Sequence, residues 1–528
     1  MLLPTTWCVA RVIESSPMGR CLLVLLAVLA CASSGCIKNV TRHVLPPGQA
    51  ESLDRESPFL KVHVLDGRAY VLSAWSVDTT ARMVRGRGDL FGLDREPLLS
   101  GDFGVPLDSV ALFETNVTRT HGSVMALSII TAGSLVLTLY CAANPKACFG
   151  SCPTFYVSDG TRDILQAEGF SGSVAPSLEA TDLDALPRAR ARGRELRIVM
   201  RDEALETQIV RRADLLAAPR AHGGRVFATA AGEFFQADRV RGLVWATGPE
   251  GSCREALASV DDIERSSPAD STDLGARETI ELRFERSGAG RLGVVIAARQ
   301  SLMSTYLFYQ ALAWMGRSAG EWFAALERGD AAIRTQARAA DGLIGGIEVE
   351  VLDASGAWVP AGQYAELGPI ATDEQLIRLP QGGADPAQVR LHLTRGAWRI
   401  NQVALAELGA KVDPVRIPPQ RVLHGDADAP VALAALLGAG DPLTTVPGDA
   451  YTLVYGLPGE AEEYELFLES RGYYLEWMRR EWLTEEDPGQ LARLFLDPRG
   501  SLRRMAPAFK RQEATMESAF WGSRYAQP

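Results

Sequence analysis

The chain has 528 residues, a net charge of −11, 47% apolar residues and 23% charged residues. That length is too great for a single hydrophobic core, so two to four domains are expected, and the composition is that of a folded protein, not a disordered one. The acidic balance argues against nucleic acid and anionic lipid as partners, because both need a clustered basic face and one is found only near the C-terminus. The scarcity of lysine (Lys38, Lys61, Lys146, Lys411 and Lys510) beside abundant arginine reads as high-GC codon bias in a bacterial genome.

Residues 22–30, LLVLLAVLA, follow Arg11 and Arg20 and end in small residues. This is the apolar core of a secretory signal, too short to span a bilayer. Counted from Met18, the stretch up to Cys36 has the proportions of a lipoprotein signal. It resembles the bacterial lipobox, which implies lipidation of Cys36, with Cys31 as the alternative; Ser33 stands where the lipobox usually carries an aliphatic residue. Residues 1–36 are therefore read as a lipoprotein-type signal. Residues 37–57, polar and Pro-containing without periodicity, are read as a tether.

Residues 58–120 read as a small β module, a barrel or roll. Leu60, Val62 and Val64 alternate with Lys61 and His63, and Asp66-Gly67 predicts a two-residue hairpin turn. Residues 121–146 contain the twenty-residue uncharged run 124–143. A membrane crossing, a buried helix and a pair of buried strands compete for it, and a helix is preferred. In an exported chain Cys141, Cys148, Cys152 and Cys253 form an even set, which reads first as disulfides of undetermined pairing and only second as a zinc site.

Asp159-Gly160 closes a hairpin between two alternating runs, and turn chemistry accounts for both residues. The positions Cys152, Pro153, Tyr156, Asp159 and Gly160, followed by Gly169 to Leu178, resemble a family of bacterial envelope proteins in which a hydrophobic segment precedes a Cys-Pro hairpin and a long β-rich region. The resemblance implies an envelope location and a β-rich body. It brings no reaction or ligand with it.

The body divides by composition into a β-rich part (147–275), a β-sandwich with a helical insertion (276–410), a β-rich segment (411–480) and a helical tail (481–528). Ile280, Leu282 and Phe284 alternate with Glu281, Arg283 and Glu285, as an antiparallel sheet with one wet face requires. Ser301–Met315 turns to helical spacing, and Ser318 with Glu321 forms a capping-box pattern. Tyr464–Leu468 and Tyr473–Leu475 read as two strands joined at Ser470-Arg471-Gly472. Asp487-Pro488-Gly489-Gln490 opens a helix, and the basic helix from about Ser501 reads as solvated. The fold class is thus mainly β with helical insertions.

No catalytic signature is present: neither G-x-S-x-G, a Walker loop, H-E-x-x-H nor a dinucleotide fingerprint. No catalytic, cofactor-binding or metal residue is assigned, and no cofactor is expected. The expected function is that of a non-catalytic, membrane-anchored cell-envelope protein with a periplasmic body and a structural, assembly or ligand-binding role. Its partners would be the membrane, through the lipid and residues 124–143, and an envelope protein or glycan. The alternative is an envelope hydrolase of polysaccharide or peptide using a carboxylate pair, which leaves no local sequence signature.

Overall fold

The computed structural model describes residues 39–119 and 152–522, apart from 67, 93–96, 205, 222, 262, 286–289, 328, 330, 333, 336–343, 366–367, 386, 478–481 and 484. Cys31, Cys36, Cys141, Cys148 and the run 124–143 lie outside the described residues. The chain is mainly β, with antiparallel pairing between neighbouring strands throughout the sheets.

Sheet I is the amino-terminal module. Its six strands stand in the order Asn39–Leu45, Val110–Arg119, Phe59–Val64, Ala69–Asp78, Met83–Phe91 and Pro97–Pro106. Leu60, Val62, Leu72, Val84, Val105 and Phe113 meet in one core, so the sheet curls as its alternation requires. The hairpin at Asp66 is wider than the expected two-residue turn, because Val64 N–H donates to Arg68 C=O across Leu65–Gly67.

The rest forms two β bodies. In the first, sheet II (Ala427–Asp428, Arg421–His424, Ala450–Gly456, Glu195–Arg201, Thr154–Ser158, Asp163–Glu168) packs on sheet III (Val415–Ile417, Glu206–Pro219, Tyr464–Glu476, Ala180–Ala185, with Leu443–Thr445 also paired to Glu206–Pro219). Phe155, Ile198, Leu215, Tyr455 and Leu468 fill the space between them. In the second body, sheet IV (Arg225–Ala228, Phe234–Arg241, Trp398–Val412, Arg291–Gln300, Asp373–Arg378) rolls up, and Arg225 in its first strand bonds Glu374 in its last. Phe227, Phe235, Val295, Leu376 and Leu408 fill its inside. Its outer face packs on sheet V (Gly251–Ser252, Leu243–Gly248, Arg277–Phe284, Gln388–Thr394, Ile347–Leu352, Trp358–Tyr364) through Val294, Ile296, Ile280, Leu391 and Trp398.

Sheet membership cuts across the compositional segments. Strands from 411–480 complete the sheets begun before residue 220, so the second body is inserted into the first. The Ser/Pro/Asp-rich Ser266–Gly275, at the 275/276 division read from composition, lies within one body: it runs from Gly251–Ser252 to Arg277–Phe284, which flank Leu243–Gly248 in sheet V, and buries Ala269 and Leu274. Tyr464–Glu476 is one strand, paired with Glu206–Pro219 from Glu206↔Glu476 to Pro219↔Tyr464, and no turn forms at Ser470–Gly472. Gly472 serves close approach instead: a Cβ there would lie 2.2 Å from Ile209 O and 2.8 Å from Phe170 Cζ.

Helix α1 (Leu302–Met315) is capped by Ser301, whose hydroxyl accepts from Met303 N–H. Helix α2 (Ala319–Glu327) follows a tight turn in which Ser318 is itself helical and donates to Met315 C=O instead of capping. After α3 (Pro430–Leu436), Asp487 caps α4 (Pro488–Leu496) by accepting from Gln490 N–H, as the sequence leads one to expect.

The last helix, α5 (Pro498–Gly522), differs from its reading as a solvated tail. Leu502, Met505, Phe509, Met516 and Phe520 are buried in the core of the second body, and Phe509 meets Tyr306 of α1 at 5.2 Å. Glu517 pairs with Arg299 and Arg399. The basic face hid an apolar stripe at helical spacing.

Candidate functional site at the seam between the β bodies

Where sheet III meets sheet IV, Leu216, Ala218 and Phe467 pack on Val226, Ala228 and Phe234, with the Phe234 and Phe467 rings edge to face at 5.0 Å. Around this apolar contact the seam is polar. Glu168 Oε2 accepts from Ile370 N–H (2.7 Å) and Ala371 N–H (3.2 Å), and Asp373 Oδ1 accepts from Ala185 N–H (3.1 Å), so carboxylates tie one body to the backbone of the other. Arg225 donates to Glu465 of sheet III (2.9 Å) and to Glu374 (2.8 Å). Asp182 accepts from Phe170 N–H.

Burial pushes Glu168 and Glu374 up to about 7, although backbone N–H groups oppose the shift at Glu168 and Arg225 opposes it at Glu374. Burial and then the neighbouring Asp373 raise Asp182 to about 6, and burial raises Asp373 too.

A cleft of about 290 Å³ opens beside this cluster. Leu165, Val260, Ala297 and Ile370 line it together with Gln166, Arg188, Asp261, Glu264, Glu374 and Asn401. Its carboxylates have protein partners. Asp261 accepts from Ser259 and Ile263, Glu264 accepts from Arg299 (2.8 Å at each oxygen) and pairs with Arg399, and Glu374 accepts from Arg225.

The residues singled out by sequence sit elsewhere. Asp159 Oδ1 accepts from Thr161 N–H, the Thr161 hydroxyl and Arg162 N–H, which lowers its pKa, and Gly160 takes φ +98° in the turn between Thr154–Ser158 and Asp163–Glu168. Tyr156 donates to Glu203, and Arg201 lies over its ring at 4.5 Å. Gly169 lets Phe155, Pro153 and Ser470 approach. Tyr156, Asp159 and Gly160, three of the positions that carry the family resemblance, are thus parts of one hairpin.

The disulfide expectation is corrected at the two cysteines described: Cys152 and Cys253 are free and buried. Both pack in the apolar core of the second body as small hydrophobes, and burial raises both thiols. His63 pairs with Glu114 at 3.0 Å, His392 lies between Thr279 and Glu350, and His424 stacks on Tyr451, each in a different sheet. Among the described residues no group of three or more His, Cys, Asp or Glu side chains is placed to hold a metal ion, and no helix is long and apolar enough to cross a membrane.

Sequence reasoning missed the seam because its acids come from separate strands of both bodies. A signal was present: Glu465 shares the face of Phe467, and Glu374 that of Leu376, so each acid falls on an apolar alternation.

No family model matches the chain, and no curated protein matches it. Among solved structures, wild-type BuGH86 in complex with neoagarooctaose aligns at 7% identity over 43% of this chain and 33% of that one, with a TM-score of 0.14. The secreted serine protease VesC from Vibrio cholerae aligns at 6% identity over 71% of this chain and 99% of that one, with a TM-score of 0.13. The chain thus spans about a third of the first of these structures, and neither similarity carries a functional argument.

Proposed function

We propose that this chain is a non-catalytic, membrane-anchored protein of the bacterial cell envelope, with a structural or assembly role toward an envelope protein or glycan. The observation that carries this reading is the commitment of the seam carboxylates. Glu168, Asp373, Glu374 and Glu465 accept bonds that join strand to strand and body to body. Asp261 and Glu264 in the cleft are likewise held by protein donors. A hydrolytic carboxylate pair needs two acids facing the substrate, one to give a proton and one to attack or activate water. The lipobox-like stretch ending at Cys36, the uncharged run 124–143 and the resemblance around Cys152–Gly160 support the envelope placement.

The lipid anchor at Cys36 holds the chain to the membrane, with 124–143 as a second membrane contact and the body in the periplasm. Metabolic labelling with radiolabelled palmitate, followed by membrane fractionation, tests this. Label and membrane association are expected for the wild type and not for Cys36→Ser. Unlabelled wild-type protein in the soluble fraction would overturn the proposal.

A further inference from the structure

The seam holds more acids than its cations balance. Glu168 from sheet II, Glu465 from sheet III, and Asp373 and Glu374 from sheet IV are buried, with the partly covered Asp182 beside them. The guanidinium set among them is Arg225, shared between Glu374 and Glu465, with Arg220 reaching Glu465 at 3.4 Å. The other charged and titratable groups facing the cluster do not correct the balance. Cys152, a neutral thiol, lies near Glu168 and Asp182 and adds no positive charge. At the cleft, Arg299 is already shared between Glu264 and Glu517, and the ion-pair partner of Arg188 is Asp159 at 3.9 Å. Like charges brought together away from water cannot all ionise, so the surplus is relieved by holding protons.

The same acids make the bonds across the seam: Glu168 to Ile370 and Ala371, Asp373 to Ala185, and Glu465 to Arg225 and to Val226 N–H. We propose that the joint between the two β bodies is controlled by protons, closed while its surplus carboxylates hold them and loosened as they ionise, which widens the cleft lined by Glu374. Opening admits water, which removes the burial that raises Glu168, Asp182, Asp373 and Glu374, so opening releases protons and rising pH favours it. Glu168 and Glu374 titrate near 7 and Asp182 near 6 in the closed joint, so the change falls between about pH 5 and pH 8 and levels off above.

Hydrogen–deuterium exchange of the full chain, corrected for intrinsic exchange rates and compared at pH 5.5 and pH 8.5, tests this. Protection at Ala185, Ile370 and Ala371 is expected to fall by about tenfold or more, the factor set by a tenfold difference in proton affinity between the closed and the open joint. Protection across sheet V should hold constant. In Glu374→Gln and Asp182→Asn, each of which removes a titrating group at nearly constant volume, the fall should shrink at least threefold. Constant protection in the wild type, an equal fall in sheet V, or an unchanged fall in a folded variant overturns the proposal. The wild-type profile decides the matter if neither variant folds.

Discussion

Replacing Arg225 with methionine should expose the electrostatics of the seam most plainly. Methionine keeps an apolar stem where the guanidinium lies over Phe227 at 4.9 Å, and it removes the cation shared by Glu374 and Glu465. Those glutamate side chains are 5% and 7% exposed, so neither can turn to water without local opening. Removing one partner of a buried ion pair costs roughly 3–5 kcal/mol. Arg225 is itself 32% exposed, which sets the expected cost at pH 8 near the lower end, about 3 kcal/mol. With the arginine gone, the cation that opposes the rise at Glu374 is lost, so the proton affinity of that buried glutamate rises further. A group with a raised folded pKa favours the fold below its unfolded value and loses that contribution as pH rises through the folded one. At pH 5 Glu374 is therefore protonated and the cost should fall below its value at pH 8, by roughly 1 kcal/mol or more, because one buried charge fewer is left without its partner. Urea unfolding midpoints of wild type and Arg225→Met at the two pH values measure this. Equal costs at pH 5 and pH 8 would refute the reasoning.

Gly472→Ala places a methyl against Ile209 C=O, a backbone atom in the longest strand pairing of sheet III. It should cost about 3 kcal/mol in the same urea assay, whereas Gly101→Ala, in open space, should stay within about 0.5 kcal/mol. Phe509→Ala should cost roughly 3–5 kcal/mol because it empties the contact of α5 with Tyr306; a change near zero would mean that the helix is not part of the core. Cys152 and Cys253 should resist iodoacetamide in the folded chain and react after unfolding, since burial keeps both thiols protonated; peptide mass mapping that finds either one labelled under native conditions would contradict their placement.

What was legible in the sequence is what is local. The strand carrying Ile280, Leu282 and Phe284, the turn at Asp159-Gly160 and the cap at Asp487 are fixed by neighbours a few residues away, and the structure has them where their spacing places them. What was not legible depends on partners far along the chain. Gly472 beside Ser470 and Arg471 has the composition of a turn, and only the opposing Ile209 and Phe170 show why a side chain is excluded there. In α5 the charges Arg503, Arg504 and Lys510 drew attention away from Leu502, Met505 and Phe509, which a core contributed by α1 and sheet V converts into buried surface. The seam is the extreme case. Glu168, Asp182, Asp373, Glu374 and Glu465 acquire meaning only after the second body is inserted into the first. That insertion follows from the pairing of Glu206–Pro219 with Tyr464–Glu476, two strands more than two hundred residues apart.

The side of the membrane on which the body lies tests the functional account most directly. With an epitope tag after Pro528, protease added to intact spheroplasts should destroy the tag without lysis, as a lipid anchor at Cys36 and a periplasmic body require. A tag that survives until the spheroplasts are lysed would place the body in the cytoplasm and contradict the account.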